Sequence, residues 1–237
     1  MAEHIVSSYD AELQHLRRRI SEMGGIAEKM LVDAINALVR GDVALAQSVI
    51  AADIRLDVLQ REVEENAIVT IARRQPLAVD LRETISAIRV SGDVERIGDL
   101  AKNIAKRGLA IAGQFNAQQI VVGLQHMSDL VLAQLKDVLD AYAQQDTAKA
   151  LDVWKRDGAI DALYTSLFRE LLTYMMEDPR NISFCTHLLF SAKNIERIGD
   201  HTTNIAETVH YLVTGETLAI DRPKNDQSID ATADIGA

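Results

Sequence analysis

From Tyr9 to Thr214, apolar residues recur at spacings of three and four, and almost nothing interrupts them. That period draws one apolar stripe along a helix. Three prolines in 237 residues leave little to break it, and abundant alanine favours it. A β-sandwich needs turn residues every few positions and is excluded. The few interruptions read as helix ends. Gly41-Asp42 is a stop followed by an N-cap. Pro76 after Gln75 and Pro179 after Asp178 suit a helix's first turn. Gly113–Gln119 and Gln144–Thr147 supply the remaining turns. Six helices are predicted, near 9–40, 42–74, 76–112, 117–144, 146–177 and 179–214. Each is about 45 Å long at the helical rise. Short connections make sequential helices antiparallel neighbours. The polar stretch 215–237 is expected to fray.

The chain repeats itself. Glu95-Arg96-Ile97-Gly98-Asp99 recurs as Glu196-Arg197-Ile198-Gly199-Asp200, and Asn103-Ile104-Ala105 as Asn204-Ile205-Ala206. Upstream, Asp42, Ala44, Ala46, Val49, Asp53, Asp57 and Leu59 match Asp146, Ala148, Ala150, Val153, Asp157, Asp161 and Leu163. An ordered series of matches across two helices predicts an all-α fold of two tandem three-helix bundles, 9–112 and 117–214.

Composition sets the outer limits. With 25 Lys and Arg against 35 Asp and Glu, the net charge is −10. Such a chain is not expected to hold nucleic acid through its phosphates. Aromatic residues are 4% of the total, so the core must be aliphatic. One cysteine, Cys185, forms no intramolecular disulfide and reads as a small buried hydrophobe in a reducing compartment. The N-terminal residues lack a basic-then-apolar signal pattern. No run of 18 apolar residues suggests a membrane span. A cytoplasmic location is expected.

The repeated polar residues are mostly carboxylates in i,i+4 pairs: Asp53/Asp57, Glu95/Asp99, Asp157/Asp161 and Glu196/Asp200. Residues four apart share a helix face. One isolated pair would be a solvated face, but these continue apolar stripes. Leu81 and Ile88 lead at seven-residue steps to Glu95, and Ile182 and Leu189 to Glu196. Asp57 and Asp53 lie as far before Pro76 as Glu95 and Asp99 lie after it, so an antiparallel pair brings them level. In the second copy the corresponding distances about Asp178 agree to within one residue. Four carboxylates should therefore converge in each unit. Like charges that close repel by several kcal/mol unless protonated or neutralised (roughly, at short range). Arg96 and Arg197 offer one ion pair each. Metal ions would neutralise more fully, and oxygen donors without thiolate suit magnesium, calcium, manganese, iron or zinc. Asn103 and Asn204, one turn on, are accessory candidates. Gly98 and Gly199 mark either close helix approach or room for ions.

Other features carry less. Glu12-x-x-His15 and Glu207-x-x-His210 imitate half of a di-iron motif but occupy unmatched repeat positions, which points to chance. His201 has Leu100 as its counterpart and reads as a surface histidine. Met175 and Met176 read as core residues, and Gly24-Gly25 as a helix bend. There is no P-loop, dinucleotide fingerprint or nucleophile elbow.

The doubled Glu-Arg-Ile-Gly-Asp, with Met23-Gly24-Gly25, Ala72-Arg73-Arg74-Gln75-Pro76 and Tyr174-Met175-Met176-Glu177-Asp178, closely resembles the PhoU family across about 9–214. The family's acidic E(D)xxxD signature falls on the four pairs above. The resemblance implies a cytoplasmic, often dimeric regulator of phosphate homeostasis that is not an enzyme. It implies repression of the phosphate-starvation response and restraint of phosphate uptake. Its implied partners are the Pst phosphate ABC transporter and the PhoR sensor kinase. Iron or zinc on the acidic motifs is also implied. Peripheral contact with an anionic membrane would need neutralising ions. Two rivals remain at this level: a di-metal carboxylate oxidase of ferritin-like type, and a helical scaffold that binds no metal.

Overall fold

The computed structural model describes residues 2–113 and 118–218, with side chains from 11 to 113 and from 121 to 218. Within them the fold is all-α. The helices are α1 (Ala2–Arg40), α2 (Val43–Arg74), α3 (Val79–Ala110), α4 (Gln118–Gln144), α5 (Thr147–Glu177) and α6 (Ile182–Thr214). A single 3₁₀ turn, Pro179–Asn181, precedes α6. Most of the 215–237 tail lies outside the described residues.

Local chemistry explains the breaks. Gly41 closes the first turn at φ 64°, and Asp42 caps α2 by accepting from the Leu45 amide at 2.9 Å. The second unit repeats the device. Asp146 accepts from the Ala148 and Lys149 amides at 2.9 and 3.0 Å, after Gln145 at φ 55°. Each such cap satisfies donors that the first helical turn cannot bond internally.

Two boundaries differ from expectation. Pro76 does not open α3. Gln75 caps α2 in the left-handed region at φ 48°, and Ala78 follows at φ 50°. A left-handed residue cannot sit within a right-handed helix, so α3 waits until Val79. Likewise Pro179 opens the 3₁₀ turn, with Asp178 accepting from the Arg180 amide. The first helix is also longer than predicted, starting at Ala2. Nor does Gly24-Gly25 bend it. A methyl on Gly24 would lie 2.6 Å from Leu139 Cδ1, so the glycine lets α4 pack closely on α1.

The two three-helix units, α1–α3 and α4–α6, join along α3 and α6. Arg89, early in α3, stacks over Tyr211, late in α6, at 5.4 Å. Arg107, late in α3, stacks over Phe190, early in α6, at 4.2 Å. The central pair is therefore antiparallel. In cross-section α2 lies on one flank, α1 with α3 and α4 with α6 fill the middle, and α5 lies on the other flank. One aliphatic core runs through all six helices, with Leu16, Leu31, Leu56, Ile97, Leu124 and Ile205 fully buried. Cys185 belongs to it at 1% exposure. Met175 packs against it, whereas Met176 is exposed, so only the first of that pair is core. No helix among the described residues is long and apolar enough to cross a membrane.

Candidate metal centre

Two mid-bundle carboxylate clusters lie at one level on opposite sides of the α3–α6 seam. Asp93 on α3 meets His201 and Asn204 on α6, at 2.8 and 3.4 Å. That register sets Glu95–Asp99 level with Glu196–Asp200. One acidic pair faces α2 and the other α5. Gly98 and Gly199 show why the helices can approach there. A methyl on Gly98 would lie 2.2 Å from Leu56 Cδ2 of α2, and one on Gly199 3.1 Å from Ile160 Cδ1 of α5. Their repetition is thus a packing requirement first. The Gly199 methyl would also come within 3.6 Å of Asp157 Oδ1.

In the first unit the acids converge on a cation that sequence reasoning did not single out. Lys102 Nζ donates to Asp53 Oδ2 of α2 and to Asp99 Oδ1 of α3, both at 2.5 Å. Burial works against its charge, but the hydrogen bonds it donates to Asp53 and Asp99 outweigh this and hold Lys102 well above the usual lysine range. Arg96 is a looser partner, 3.6 Å from Glu95 and 3.5 Å from Asp99, with most of its side chain in water. Glu95 is pushed up first by burial and then by the charges of Asp99, Asp57 and Asp53, against Arg96. Glu95 therefore lies within electrostatic reach of the other three carboxylates.

The second unit is drier and differently compensated. Asp157, Asp161 and Glu196 are only 2%, 3% and 5% exposed, whereas in the first cluster only Asp53 is buried. Lys193 donates to Glu196 Oε1 at 2.9 Å and lies 4.8 Å over the Tyr164 ring. Glu196 Oε2 is buried with no hydrogen-bond partner. Burial raises the Glu196 carboxyl, Lys193 opposes this, and Asp200 and Asp161 add to it. A buried acid in that position stays protonated or calls for a cation.

The remaining candidates are placed elsewhere. Asn103 is exposed, and Asn204 turns across the seam to Asp93. Arg197 is exposed. His201 is not a surface histidine but a half-buried member of the α3–α6 seam, because α6 faces Asp93 there. Glu12 pairs with Arg74, which holds its carboxyl low, and Glu207 accepts from Trp154 Nε1 at 3.2 Å. His210 bonds the Glu216 carbonyl. Neither half-motif of the oxidase reading brings its imidazole to the carboxylates.

Among the described residues, no three His, Cys, Asp or Glu side chains stand ready to hold a metal ion. The donor chemistry still distinguishes the clusters. The second presents buried carboxylates and one unpaired oxygen, which fits a hard divalent ion. In the first, an ammonium already bridges the two helices. A lysine one turn beyond Asp99, with Thr203 as its repeat counterpart, was the sequence signal for that asymmetry.

The fold and the site define an all-helical bundle built of two repeats, each with its own paired acidic motifs. The PhoU domain model matches twice, at residues 20–108 and 124–209, so each match contains one acidic cluster. The chain belongs to the PhoU family. It is 59% identical to the phosphate-specific transport system accessory protein PhoU homolog of Rhizobium meliloti, over 95% of both chains. It is 53% identical to the homolog of the same name from Caulobacter vibrioides, over 95% of this chain and 98% of the other. The crystal structure of PhoU from Pseudomonas aeruginosa superposes with a TM-score of 0.85 at 40% identity, covering 88% of this chain and all of that one. The phosphate transport system regulatory protein PhoU from Streptococcus pneumoniae gives 0.83 at 30% identity, covering 90% of this chain and all of that one.

Proposed function

We propose that this chain is an accessory and regulatory protein of a phosphate-specific transport system. It works in the cytoplasm by binding rather than by catalysis. As a helical adaptor, in dimeric form, it links the Pst transporter to the PhoR sensor kinase. It thereby restrains phosphate uptake and represses the phosphate-starvation response. The observation that carries this reading is near end-to-end likeness to PhoU accessory proteins, with a Glu-Arg-Ile-Gly-Asp segment inside each matched domain. With no helix suited to crossing a membrane among the described residues, the adaptor would reach the transporter by contact with it.

Metal binding at the carboxylates belongs to the same proposal. Asp157, Asp161, Glu196 and Asp200 would hold an ion such as manganese, magnesium, iron or zinc. When bound, the ion supplies the positive charge that lets these acids stay ionised away from water. The residues themselves bring oxygen donors from α5 and α6 to one level, so an ion would clasp the two helices together.

The test is deletion and complementation in the native host. In phosphate-rich medium, loss of the gene should raise labelled-phosphate uptake and switch on a starvation-response reporter. The intact gene should restore both. Uptake and reporter signals indifferent to the gene would reject the regulatory role.

A further inference from the structure

The flank helix α2 packs on α1 and α3 and turns its other side to solvent. That side is not a polar one. Ile54, Val58 and Ile68 are 68%, 40% and 61% exposed. With Arg61, Glu65 and Ala72, also exposed, they draw one line up the helix at alternating steps of four and three. Those steps are the rhythm of a helix that seats against another helix. The opposite flank differs. On the outside of α5, Ala159, Ala162, Ser166 and Arg169 occupy such a line. The α2 line is also complementary to itself. When a second copy runs antiparallel, its positions pair about the level of Val63: Ile54 meets Ala72 of the second copy, Val58 meets Ile68, and Arg61 meets Glu65. Each pair recurs across the axis, as a two-fold contact between like surfaces requires. The two charges inside the apolar line thus meet opposite charges. A parallel arrangement sets Arg61 on Arg61 and Glu65 on Glu65, which repel.

We propose that this face of α2 is the surface on which two copies of the chain meet, as an antiparallel helix pair centred beside Val63. The inference rests on the dimeric reading above and gives it a face. Burial of Ile54, Val58 and Ile68 from each copy drives association. The two Arg61–Glu65 pairs fix direction and register. From Ile54 to Ala72 the seam runs about 27 Å at the helical rise, and it is one helix wide. That is a small contact beside the usual area of about 800 Å² per partner. The dimer therefore exchanges with monomer, with a dissociation constant in the micromolar range or weaker. Both first units then lie at the centre of the assembly, and both α5 flanks face outward.

The experiment uses the full chain in sedimentation equilibrium over a concentration series, with circular dichroism to check the folding of each variant. Wild type should pass from monomer to dimer as concentration rises. Arg61→Glu and Glu65→Arg each set like charges together twice, and each should weaken dimerisation about tenfold or more. Combining the two exchanges in one chain should restore it, which general disturbance of the surface does not do. Ile68→Ser should weaken it by a similar factor (roughly, for one large apolar side chain). Register is read by disulfide crosslinking. Val58→Cys with Ile68→Cys in one chain should link two copies under mild oxidation. Val58→Cys alone should not, because its two sulfurs lie about 15 Å apart along the seam. The native Cys185 is buried and stays out of the reaction. A dimer that none of the charge or apolar exchanges weakens would overturn this face and leave the dimeric reading standing. Crosslinking by Val58→Cys alone would overturn the antiparallel register. A wild type that stays monomeric at every concentration would sink the dimeric reading and this inference with it.

Discussion

Glu196 and Lys102 make opposite demands on the fold. The folded state raises the Glu196 carboxyl, with burial as the main cause, so the metal-free fold prefers its neutral form. A group bound more tightly to its proton in the folded state stabilises at low pH, and the benefit fades as pH rises through its folded pKa. Glu196→Gln, which imitates the neutral acid, should therefore raise the neutral-pH stability of metal-free protein. It should also flatten the decline above the ordinary glutamate range, as read from urea melts across pH. Lys102 is raised too, but as a cation. Its contribution is complete below the unfolded lysine pKa, about 10.4, and disappears as pH climbs through the higher folded value. Lys102→Met leaves Asp53 and Asp99 facing each other, and should cost about 2 kcal/mol at pH 7, less than a fully buried pair because the lysine keeps some solvent contact. That loss should vanish in strongly alkaline melts.

Glycine plays three different parts along these helices. Each glycine within a helix costs up to about 1 kcal/mol relative to alanine, so its neighbours decide whether alanine helps. Gly25 is exposed, and a methyl there meets nothing within 4 Å. Gly25→Ala should stabilise by about 0.5–1 kcal/mol. Gly98→Ala drives a methyl into Leu56, which is fully buried and has nowhere to retreat. It should destabilise by about 1–3 kcal/mol despite the better helix propensity. Gly199→Ala, with 3.1 Å to Ile160, should be milder. Thermal melts of the three variants side by side test the ranking. Separation of α2 from α3 in Gly98→Ala would also stretch the Lys102 bridge.

The six helices share one core, and the α3–α6 seam is as extensive as the best-packed helix pair inside either unit. Arg89–Tyr211, Asp93–His201 and Arg107–Phe190 pin that seam along its length. Scanning calorimetry should accordingly show one cooperative transition for the whole chain, not one for each repeat. A ligand that binds only the folded state adds about 2.7 kcal/mol at a hundredfold excess over its Kd. Saturating Mn²⁺ should thus raise the melting temperature of wild type, and leave Glu196→Gln unmoved.

Much of this was written in the linear chain. Periodicity and scarce prolines specify six helices because a 3.6-residue repeat of apolar groups has one compact solution: burial of the stripe. The duplicated segments specify two like units, but the seven-residue steps into Glu95 and Glu196 do not follow the core: Leu81 and Ile182 at their heads are exposed, Glu95 is half-buried and only Glu196 is fully inside. Turn detail at Pro76 and Pro179 was not legible, because left-handed residues such as Ala78 answer to the packing of the helices they join. The Lys102 bridge, the unpaired oxygen of Glu196 and the His201–Asp93 contact were hidden for a related reason. Each depends on which residues of separate helices reach the same level, and on how much water remains between them. Local pattern can say that a carboxylate lies on an inward face. Only the packed arrangement decides whether a lysine is there to meet it.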